Sequence, residues 1–272
     1  NYATNSIAFP TEVLLQYPHW STVGPFVSPC RVGPTVPQRG GKRNGRFCPS
    51  PGSCYIVSGG AGALGLALCE ALVESGVSCV LALGRRSVLP EHIQKRFESN
   101  SQRLKYLAVD LSSPEGSTKL EKIMADAPYP VRGVFHLAGV AKYSKLQSVT
   151  SEELALSLQP KINGAFALLD ATCSYFRGKN QEPDLDCFVL MSSISSRFGF
   201  PGSASYSRAN GSLFSLALNY RQVSKIPVCA VELGPVAGEG MAQNPNLEKY
   251  LNYVGFKYFT VEHFLIVVTK SS

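Results

Sequence analysis

Six short apolar runs recur along residues 52–272, with helical segments between them. They read CYIVS (54–58), CVLAL (79–83), LKYLAV (104–109), VRGVFHLAG (131–139), DCFVLMSS (186–193) and VCAVEL (228–233). Apolar runs of this length are typical of strands that are buried on both faces of a sheet. Because strands that alternate with crossover helices form parallel sheets, the pattern predicts an α/β fold with a doubly wound parallel sheet.

Helix-start signals stand between several of these runs. Ser113 precedes Pro114, and a serine cap followed by proline at the first helical position begins a helix. Thr150 and Glu153 form a T-x-x-E capping box, in which each side chain is expected to accept a hydrogen bond from the backbone N–H of the other residue. The longer helices are expected at 63–75 and 203–224.

Residues 1–51 show neither helical nor strand periodicity and hold eight of the 18 prolines. We interpret them as a linker or irregular segment, and residues 52–272 as one folded domain. The chain begins with Asn and has no Met before Met124, which indicates a piece of a longer polypeptide.

Composition narrows the class of protein. With 44% hydrophobic and 17% charged residues, the sequence is typical of a soluble domain, and its apolar runs are too short to span a bilayer. None of the eight cysteines forms a C-x-x-C pair or a Cys/His cluster, so we expect no metal site, and free thiols in a reducing, cytoplasmic compartment rather than disulfides. Organelle targeting stays open. The net charge of +7 could serve binding to nucleic acid, a solvated linker or docking of an acidic protein partner. We expect neither nucleic acid nor a membrane as a partner.

A glycine-rich turn follows the first predicted strand. The segment SGGAGALG has the pattern G-x-G-x-x-G at Gly60, Gly62 and Gly65. Glycines let the backbone approach a pyrophosphate, which then lies at the N-terminus of the next helix. Because the motif stands between a predicted strand and a predicted helix, we expect a dinucleotide cofactor.

The ends of the second and third strands bear on which dinucleotide is bound. The second strand ends in Arg85 and Arg86 rather than in an acid, which favours the 2′-phosphate of NADP over the free 2′-hydroxyl of NAD. Surface charges without a ligand are the alternative. Asp110, after the third strand, is suited to accept a hydrogen bond from the adenine amino group, or to form a turn.

Four polar residues follow the later strands at spacings that suit carbonyl chemistry. Ser193 ends a strand thirteen residues before Tyr206, so both side chains can converge on one carbonyl oxygen, and Asn210 shares a helix face with Tyr206. A tyrosine is a weak acid unless a nearby cation stabilises its phenolate. Lys161 is the cation of LQPKINGAF, where Pro160 is expected to kink the helix and aim the lysine; a solvated lysine is the alternative.

These residues resemble short-chain dehydrogenase/reductases, and more narrowly the ketoreductase domain of polyketide synthases and animal-type fatty acid synthases. In that family the lysine and asparagine exchange places relative to most short-chain reductases, and PKING (160–164) and YSRAN (206–210) reproduce the exchange. The resemblance extends over about four-fifths of the chain, including IVSGGAGALG, GVFHLAG, SSISSRFGFPGSASY, ELGPVAGEGMA and YVGFKYFTVEHFL.

The resemblance implies a Rossmann-like fold and NADPH-dependent reduction of a β-ketoacyl thioester held on an acyl carrier protein, inside a larger synthase. Tyr206 would be the general acid, and Ser193 would hydrogen-bond the carbonyl. Lys161 would lower the pKa of the tyrosine and hold the nicotinamide ribose, and Asn210 would orient the lysine or a relay water. Gly240–Lys257 would form a mobile lid. The implied cofactor-binding residues are Ser58, Gly59, Gly60, Gly62, Leu64, Gly65, Arg85, Arg86, Asp110, Leu111, Ala138, Gly139, Gly234 and Pro235.

The chain departs from the family pattern at several positions. Ala63 replaces a glycine of the loop, and VAKY (140–143) stands where the family's L-D-D stereochemical marker would lie. Phe198 replaces the marker tryptophan of the opposite class, whereas Pro201 resembles a marker of the L-D-D class. These positions conflict, so the hydroxyl configuration stays open. Residues 1–51 are too short for the non-catalytic half that precedes this domain in the family, and represent at most a remnant of it.

Two rival interpretations remain at the level of sequence. A stand-alone short-chain dehydrogenase on a free ketone or alcohol is disfavoured by the exchanged lysine and by the missing start methionine. A silent nucleotide-binding module of a synthase is disfavoured because the tyrosine, the serine and the glycine loop are all present. Acyl chain length, α-substituents, polyketide or fatty acid pathway and oligomeric state cannot be predicted from these residues.

Overall fold

The computed structural model describes residues 49–237, 245–253, 255–256 and 258–270. Most of the predicted irregular segment 1–51 and part of the predicted lid Gly240–Lys257 therefore lie outside the described residues.

Six parallel strands form one sheet, as the apolar runs predict. They pair in the order β3-β2-β1-β4-β5-β6, so the chain runs outward to β3 and then crosses back to β4. The strands are β1 (Cys54–Ser58), β2 (Cys79–Gly84), β3 (Leu104–Ala108), β4 (Val131–His136), β5 (Cys187–Ser193) and β6 (Val228–Leu233). The doubly wound parallel fold is confirmed. The fourth strand is three residues shorter than its apolar run, and residues 137–139 line a cavity at the sheet edge.

The helices lie between the strands and after the last one. They are α1 (Ala63–Glu74), α2 (Glu91–Ser99), α3 (Pro114–Ala125), α4 (Ser151–Leu158), α5 (Gly164–Gly178), the single turn α6 (Ser195–Phe198), α7 (Ala204–Val223), α8 (Pro245–Tyr253) and α9 (Val261–Lys270). The turns at Leu146–Ser148 and Gln159–Asn163 are a 3₁₀-helix and a π-helix. The predicted helices at 63–75 and 203–224 correspond to α1 and α7.

Each face of the sheet packs against its own hydrophobic core. Alternate residues of β1 belong to different cores. Cys54 and Ile56 are in the core that includes residues of α3, α5 and α7. Tyr55 and Val57 belong to the core that includes residues of α1 and Phe97 of α2. This period-two division explains why the strands have no polar face. Because all six strands are parallel, their carboxyl ends lie at one edge of the sheet.

The helix-start predictions are confirmed in one case and in part in the other. Ser113 caps α3 by accepting a hydrogen bond from the backbone N–H of Gly116 at 3.0 Å. Thr150 likewise accepts from the N–H of Glu153 at 3.2 Å. The reciprocal half of the capping box is wrong: the Glu153 carboxylate turns inward and accepts from the Ser144 hydroxyl at 2.7 Å. A tertiary contact has therefore replaced the local one.

Six cysteines fall within the described residues, and all are free thiols, as expected: Cys54, Cys69, Cys79, Cys173, Cys187 and Cys229. Burial raises the pKa of Cys229 to about 12, which disfavours its reactive thiolate. Within the same part of the chain, none of the helices has the length and apolar character needed to cross a bilayer.

Candidate active site

A cavity of about 400 Å³ opens at the carboxyl ends of the strands. It lies where the strand order reverses between β1 and β4, the position at which doubly wound sheets bind their ligands. Thirteen of the fourteen predicted cofactor residues line it, all except Gly60. Ser193, Tyr206 and Lys161 line it as well, so residues from separate parts of the sequence face one space.

The glycine loop between β1 and α1 leaves room for a ligand's phosphates. Gly59 has a φ of +74°, and a Cβ there would lie 2.7 Å from the backbone nitrogen of Ala138, so only glycine fits without strain. A Cβ at Gly65 would overlap the carbonyl oxygen of Gly59. α1 begins with Gly62 as its cap and no side-chain hydrogen bond to its first N–H groups. An uncapped helix N-terminus beside a close-packed glycine turn fits a pyrophosphate.

Gly60 contributes to packing of the loop rather than to the cavity wall. A Cβ at this position would lie 2.6 Å from the Cβ of Ala82 on β2. Gly60 therefore allows the loop to pack on the neighbouring strand, and it does not line the cavity.

The arginines after β2 and the aspartate after β3 line the cavity where two neighbouring strands end. Arg85 and Arg86 are exposed, and the Tyr106 hydroxyl donates to the backbone oxygen of Arg86 at 2.8 Å. Asp110 forms the turn that was one of its two predicted roles, because its Oδ1 accepts from the Ser112 backbone N–H at 3.0 Å. Burial raises the pKa of Asp110, but hydrogen bonds from Ser112 and the charge of Arg85 outweigh it, so the net pKa is lowered.

The serine, tyrosine and asparagine approach one another as their spacing predicts. The pKa of Tyr206 is raised by burial, and hydrogen bonding to Asn210 and to Ser193 opposes that rise. Asn210 is fully buried, and its Nδ2 donates to the Tyr206 backbone oxygen at 2.9 Å. Its Oδ1 is a buried acceptor without a hydrogen-bond partner among the described residues. Such an orphaned acceptor is costly unless a water or a donor reaches it.

Lys161 is carried by the π-helical turn Gln159–Asn163, where Pro160 interrupts the regular helix. This irregular turn agrees with the predicted kink. The lysine is 3% exposed, and its ammonium donates to the backbone oxygen of Met191 at 2.9 Å. Its Nζ lies 5.9 Å from the centroid of the Tyr206 ring. Burial lowers the pKa of Lys161 to about 8. The alternative of a solvated lysine is excluded.

His136 joins the cofactor loop to the lysine turn. Its Nε2 donates to the backbone oxygen of Lys161 at 2.8 Å, and its Nδ1 is 2.5 Å from the Ser58 hydroxyl. A carbonyl oxygen only accepts, so the imidazole is protonated on Nε2 and accepts from Ser58 on Nδ1. Burial lowers the pKa of His136 to about 3. A neutral histidine thus fixes the backbone that carries Lys161.

The glycines after β4 and β6 lie close to other side chains. A Cβ at Gly139 would lie 2.9 Å from the Lys161 Cε, and a Cβ at Gly234 would lie 2.6 Å from the Phe259 ring. A side chain at Gly139 would therefore displace the end of the Lys161 side chain, and one at Gly234 would press on the Phe259 ring. Pro235 accepts a backbone hydrogen bond from Phe259 at 2.8 Å, which ties the segment after β6 to the chain before α9.

Several residues of the cavity wall were not among the predicted catalytic or cofactor-binding residues. Tyr143 and Phe200 come from two loops, and Leu251, within the predicted lid Gly240–Lys257, comes from α8. The Phe200 ring packs edge-on against Tyr250 at 6.3 Å and Phe256 at 5.7 Å between centroids. No local spacing signals such contacts, because they depend on how distant loops meet.

Comparisons with known proteins agree with this geometry. The family model described as KR domain matches residues 53–238. The chain is 33% identical to 6-methylsalicylic acid synthase of Penicillium terrestre over 64% of its length, and 32% identical to phthioceranic/hydroxyphthioceranic acid synthase of Mycobacterium bovis over 68%. It spans only 10% and 8% of those two synthases.

Solved structures show the same fold. An A-type ketoreductase from a modular polyketide synthase matches with a TM-score of 0.72 and 26% identity, over 88% of this chain and 48% of the other. The first-module ketoreductase of phoslactomycin biosynthesis in Streptomyces sp. HK803 matches with a TM-score of 0.71 and 28% identity, over 83% and 50%. The chain belongs to the KR domain family, the ketoreductases of polyketide synthases within the short-chain dehydrogenase/reductase oxidoreductases.

Proposed function

We propose that this domain reduces the β-ketone of an acyl thioester, carried on an acyl carrier protein of the same synthase, with NADPH as the hydride donor. One observation carries the proposal: Ser193, Tyr206 and Lys161 line the cavity that the glycine loop and the two arginines also line. Carbonyl chemistry and dinucleotide binding therefore share one space. Membership of the KR domain family supports the reaction class.

The glycine loop and the strand ends are the cofactor's binding residues in this proposal. The pyrophosphate would lie on the N-terminus of α1, and Arg85 and Arg86 would hold the 2′-phosphate. Leu111, Ala138 and Gly139 would line the path between these groups and the catalytic residues, with Gly234 and Pro235 opposite. When bound, the nicotinamide supplies a hydride to the β-carbon of the substrate.

The chain's own residues stabilise the developing charge and supply the proton. Ser193 donates a hydrogen bond to the ketone oxygen, which stabilises the negative charge as it develops. Tyr206 transfers its phenolic proton to that oxygen, so the ketone becomes an alcohol and the tyrosine a phenolate. With a pKa of about 8, Lys161 is mostly protonated at neutral pH, and its ammonium 5.9 Å from the ring centroid stabilises the phenolate.

Asn210 completes the proton path. Its buried Oδ1 has no partner among the described residues, which suits a relay water or the Lys161 ammonium, whose other N–H groups remain free of protein partners there. Protons would then reach Tyr206 from solvent after each reduction. This assigns Asn210 to orientation and relay rather than to contact with the substrate.

Partners and substrate source follow from the relatives. The matched proteins are synthases of which this chain spans about a tenth, so we propose that it works beside the other domains of one synthase. Carrier proteins are acidic, and a chain with a net charge of +7 attracts them.

Tyr206→Phe tests the proposal. The change removes the general acid but keeps the ring, so reduction of a short β-ketoacyl thioester should fall by about 100-fold or more. NADPH consumption measures turnover, and fluorescence titration should show unchanged NADPH binding. Tyr129→Phe, at a tyrosine that is 42% exposed, is the matched control. Unchanged turnover in Tyr206→Phe would overturn the acid assignment, and an inactive wild type that still binds NADPH would indicate a silent module.

A further inference from the structure

Tyr143 stands on the loop between β4 and α4, which two hydrogen bonds anchor at the next residue. The Ser144 backbone N–H donates to the Gly202 oxygen at 2.9 Å, and the Ser144 hydroxyl donates to the buried Glu153 carboxylate at 2.7 Å. A Cβ on Gly202, whose φ is +76°, would lie 3.6 Å from the Tyr143 Cβ. Tyr143 is therefore held against the segment that leads into Tyr206.

Tyr143 and Tyr206 line the same cavity. Burial first, and then the nearby Tyr206 phenol, raise the pKa of Tyr143 to about 12. Its hydroxyl thus keeps its proton at every physiological pH and is a hydrogen-bond donor.

Among the described residues, the other hydroxyls that line the cavity already have partners or an assigned role. Ser58 is bonded to His136, and Ser192 donates to the backbone oxygen of Asn210 at 2.9 Å. Tyr106 donates to Arg86, and Ser112 to Asp110. Ser193 and Tyr206 are assigned to the ketone above. The Tyr143 hydroxyl makes no hydrogen bond within the described part of the chain, so it is the one uncommitted hydroxyl there.

A β-ketoacyl thioester has two carbonyl oxygens on carbons separated by a single CH₂. Ser193 and Tyr206 are assigned to the ketone oxygen, and the thioester oxygen beside it is a second acceptor for a hydrogen bond. We propose that Tyr143 is a specificity-determining residue, which donates a hydrogen bond to the thioester carbonyl oxygen while Ser193 and Tyr206 bind the ketone. This inference rests on the proposed function and names the substrate class for that site, a 1,3-dicarbonyl.

Tyr143→Phe tests the inference with a pair of matched ketones. One is a short β-ketoacyl pantetheine thioester, and the other is the corresponding keto thioether, in which CH₂ replaces the thioester carbonyl. The variant should lose roughly 10-fold in kcat/KM on the thioester, mostly through KM, because one neutral hydrogen bond is removed. On the thioether, followed at high protein concentration, it should change by less than about 2-fold.

Three controls separate the possible outcomes. Tyr129→Phe should leave both ketones unaffected, and Tyr206→Phe should abolish reduction of both. An equal loss on the two ketones in Tyr143→Phe would mean that the tyrosine only positions the loop, and no loss on either would remove its role; each result overturns the inference. A wild type that reduces neither ketone would overturn the proposed function as well.

Discussion

Lys161 combines a functional position with an environment that disfavours its charge. The side chain is 3% exposed and makes its hydrogen bond to a neutral backbone oxygen of Met191 rather than to an acid. Its pKa is therefore lowered by burial, and within the described part of the chain no carboxylate offsets the desolvation. Residues kept in this state are typical of functional sites.

Replacing this residue by methionine, Lys161→Met, should raise the free energy of unfolding at pH 7 while lowering ketone reduction. The folded pKa of about 8 lies below the ordinary 10.5, so below pH 8 the lysine disfavours the folded protein by about 3 kcal/mol. Loss of the hydrogen bond to Met191 offsets about 1 kcal/mol of this gain, which leaves a net increase of about 2 kcal/mol. Urea denaturation measures the difference.

The pH dependence of that difference is the sharper readout. Between pH 8 and 10.5 the folded lysine has lost its proton while the unfolded lysine still keeps its own. The cost of that deprotonation falls as pH rises, so the advantage of Lys161→Met should shrink through this window. Lys122→Met, on an exposed position of α3, should change stability by less than about 0.5 kcal/mol throughout. If Lys161→Met were less stable than the wild type at pH 7, the buried ammonium would have to be fully compensated by its surroundings.

At the residue scale, short fixed spacings could be predicted and long-range contacts could not. The interval from Ser193 to Tyr206 and the glycines of the loop define their geometry locally. The hydrogen bond from Lys161 to Met191 joins residues thirty apart, and Tyr143 lies beside Gly202, just before α7, only because two loops meet. The spacing of residues along the sequence predicts neither of these contacts.

At the scale of the element, apolar runs predicted all six strands, since burial on both faces leaves a continuous signal. The predictions of how the helices begin were confirmed only in part. Thr150 caps α4 as expected, but Glu153 bonds to Ser144 rather than to the cap. A carboxylate near a helix start can accept a hydrogen bond from the cap backbone or from a residue of another segment. Here the packing of the preceding loop places Ser144 within reach of Glu153.

The end of β2 determines cofactor choice in our proposal, and Arg85→Ala combined with Arg86→Ala tests it. Both side chains are exposed and line the cavity. Removal of two charged donors to a phosphate should weaken NADPH binding by about 100-fold and NADH binding by less than about 3-fold. Fluorescence titration with each nucleotide measures the two dissociation constants.

The control is Arg177→Ala combined with Lys122→Ala, which removes two exposed positive charges away from the cavity. It should leave both dissociation constants within about 2-fold. An equal loss for NADPH and NADH in the Arg85 and Arg86 variant would refute a role in binding the 2′-phosphate.

At the scale of the whole molecule, strand order decides where the site lies. The order β3-β2-β1-β4-β5-β6 brings the loops after β1 and β4 to one crevice, and the fold class predicted from alternating elements was enough to expect it. The place of Phe200 in the cavity wall could not be predicted in this way, because it depends on how the loop between α6 and α7 packs against distant segments.

The net charge of +7 leads to a prediction about the carrier protein. Reduction of a β-ketoacyl group attached to an acidic carrier protein should lose about 10-fold in kcat/KM when the salt concentration rises from about 50 to 500 mM, because attraction between opposite charges is screened. The same acyl group on free pantetheine should change by less than about 2-fold. A carrier-bound substrate that is insensitive to salt would argue against electrostatic docking.

The π-helical turn Gln159–Asn163 has a consequence for chain length. Each residue added to or removed from an α-helix rotates everything beyond it by about 100°, so a single deletion ordinarily misaligns the buried face. A π-turn already holds one residue more than the regular helix requires. Deleting one residue here would leave α4 and α5 in phase while turning the ammonium away from Tyr206. A one-residue deletion in this segment should therefore reduce catalysis without disturbing the packing of the two flanking helices.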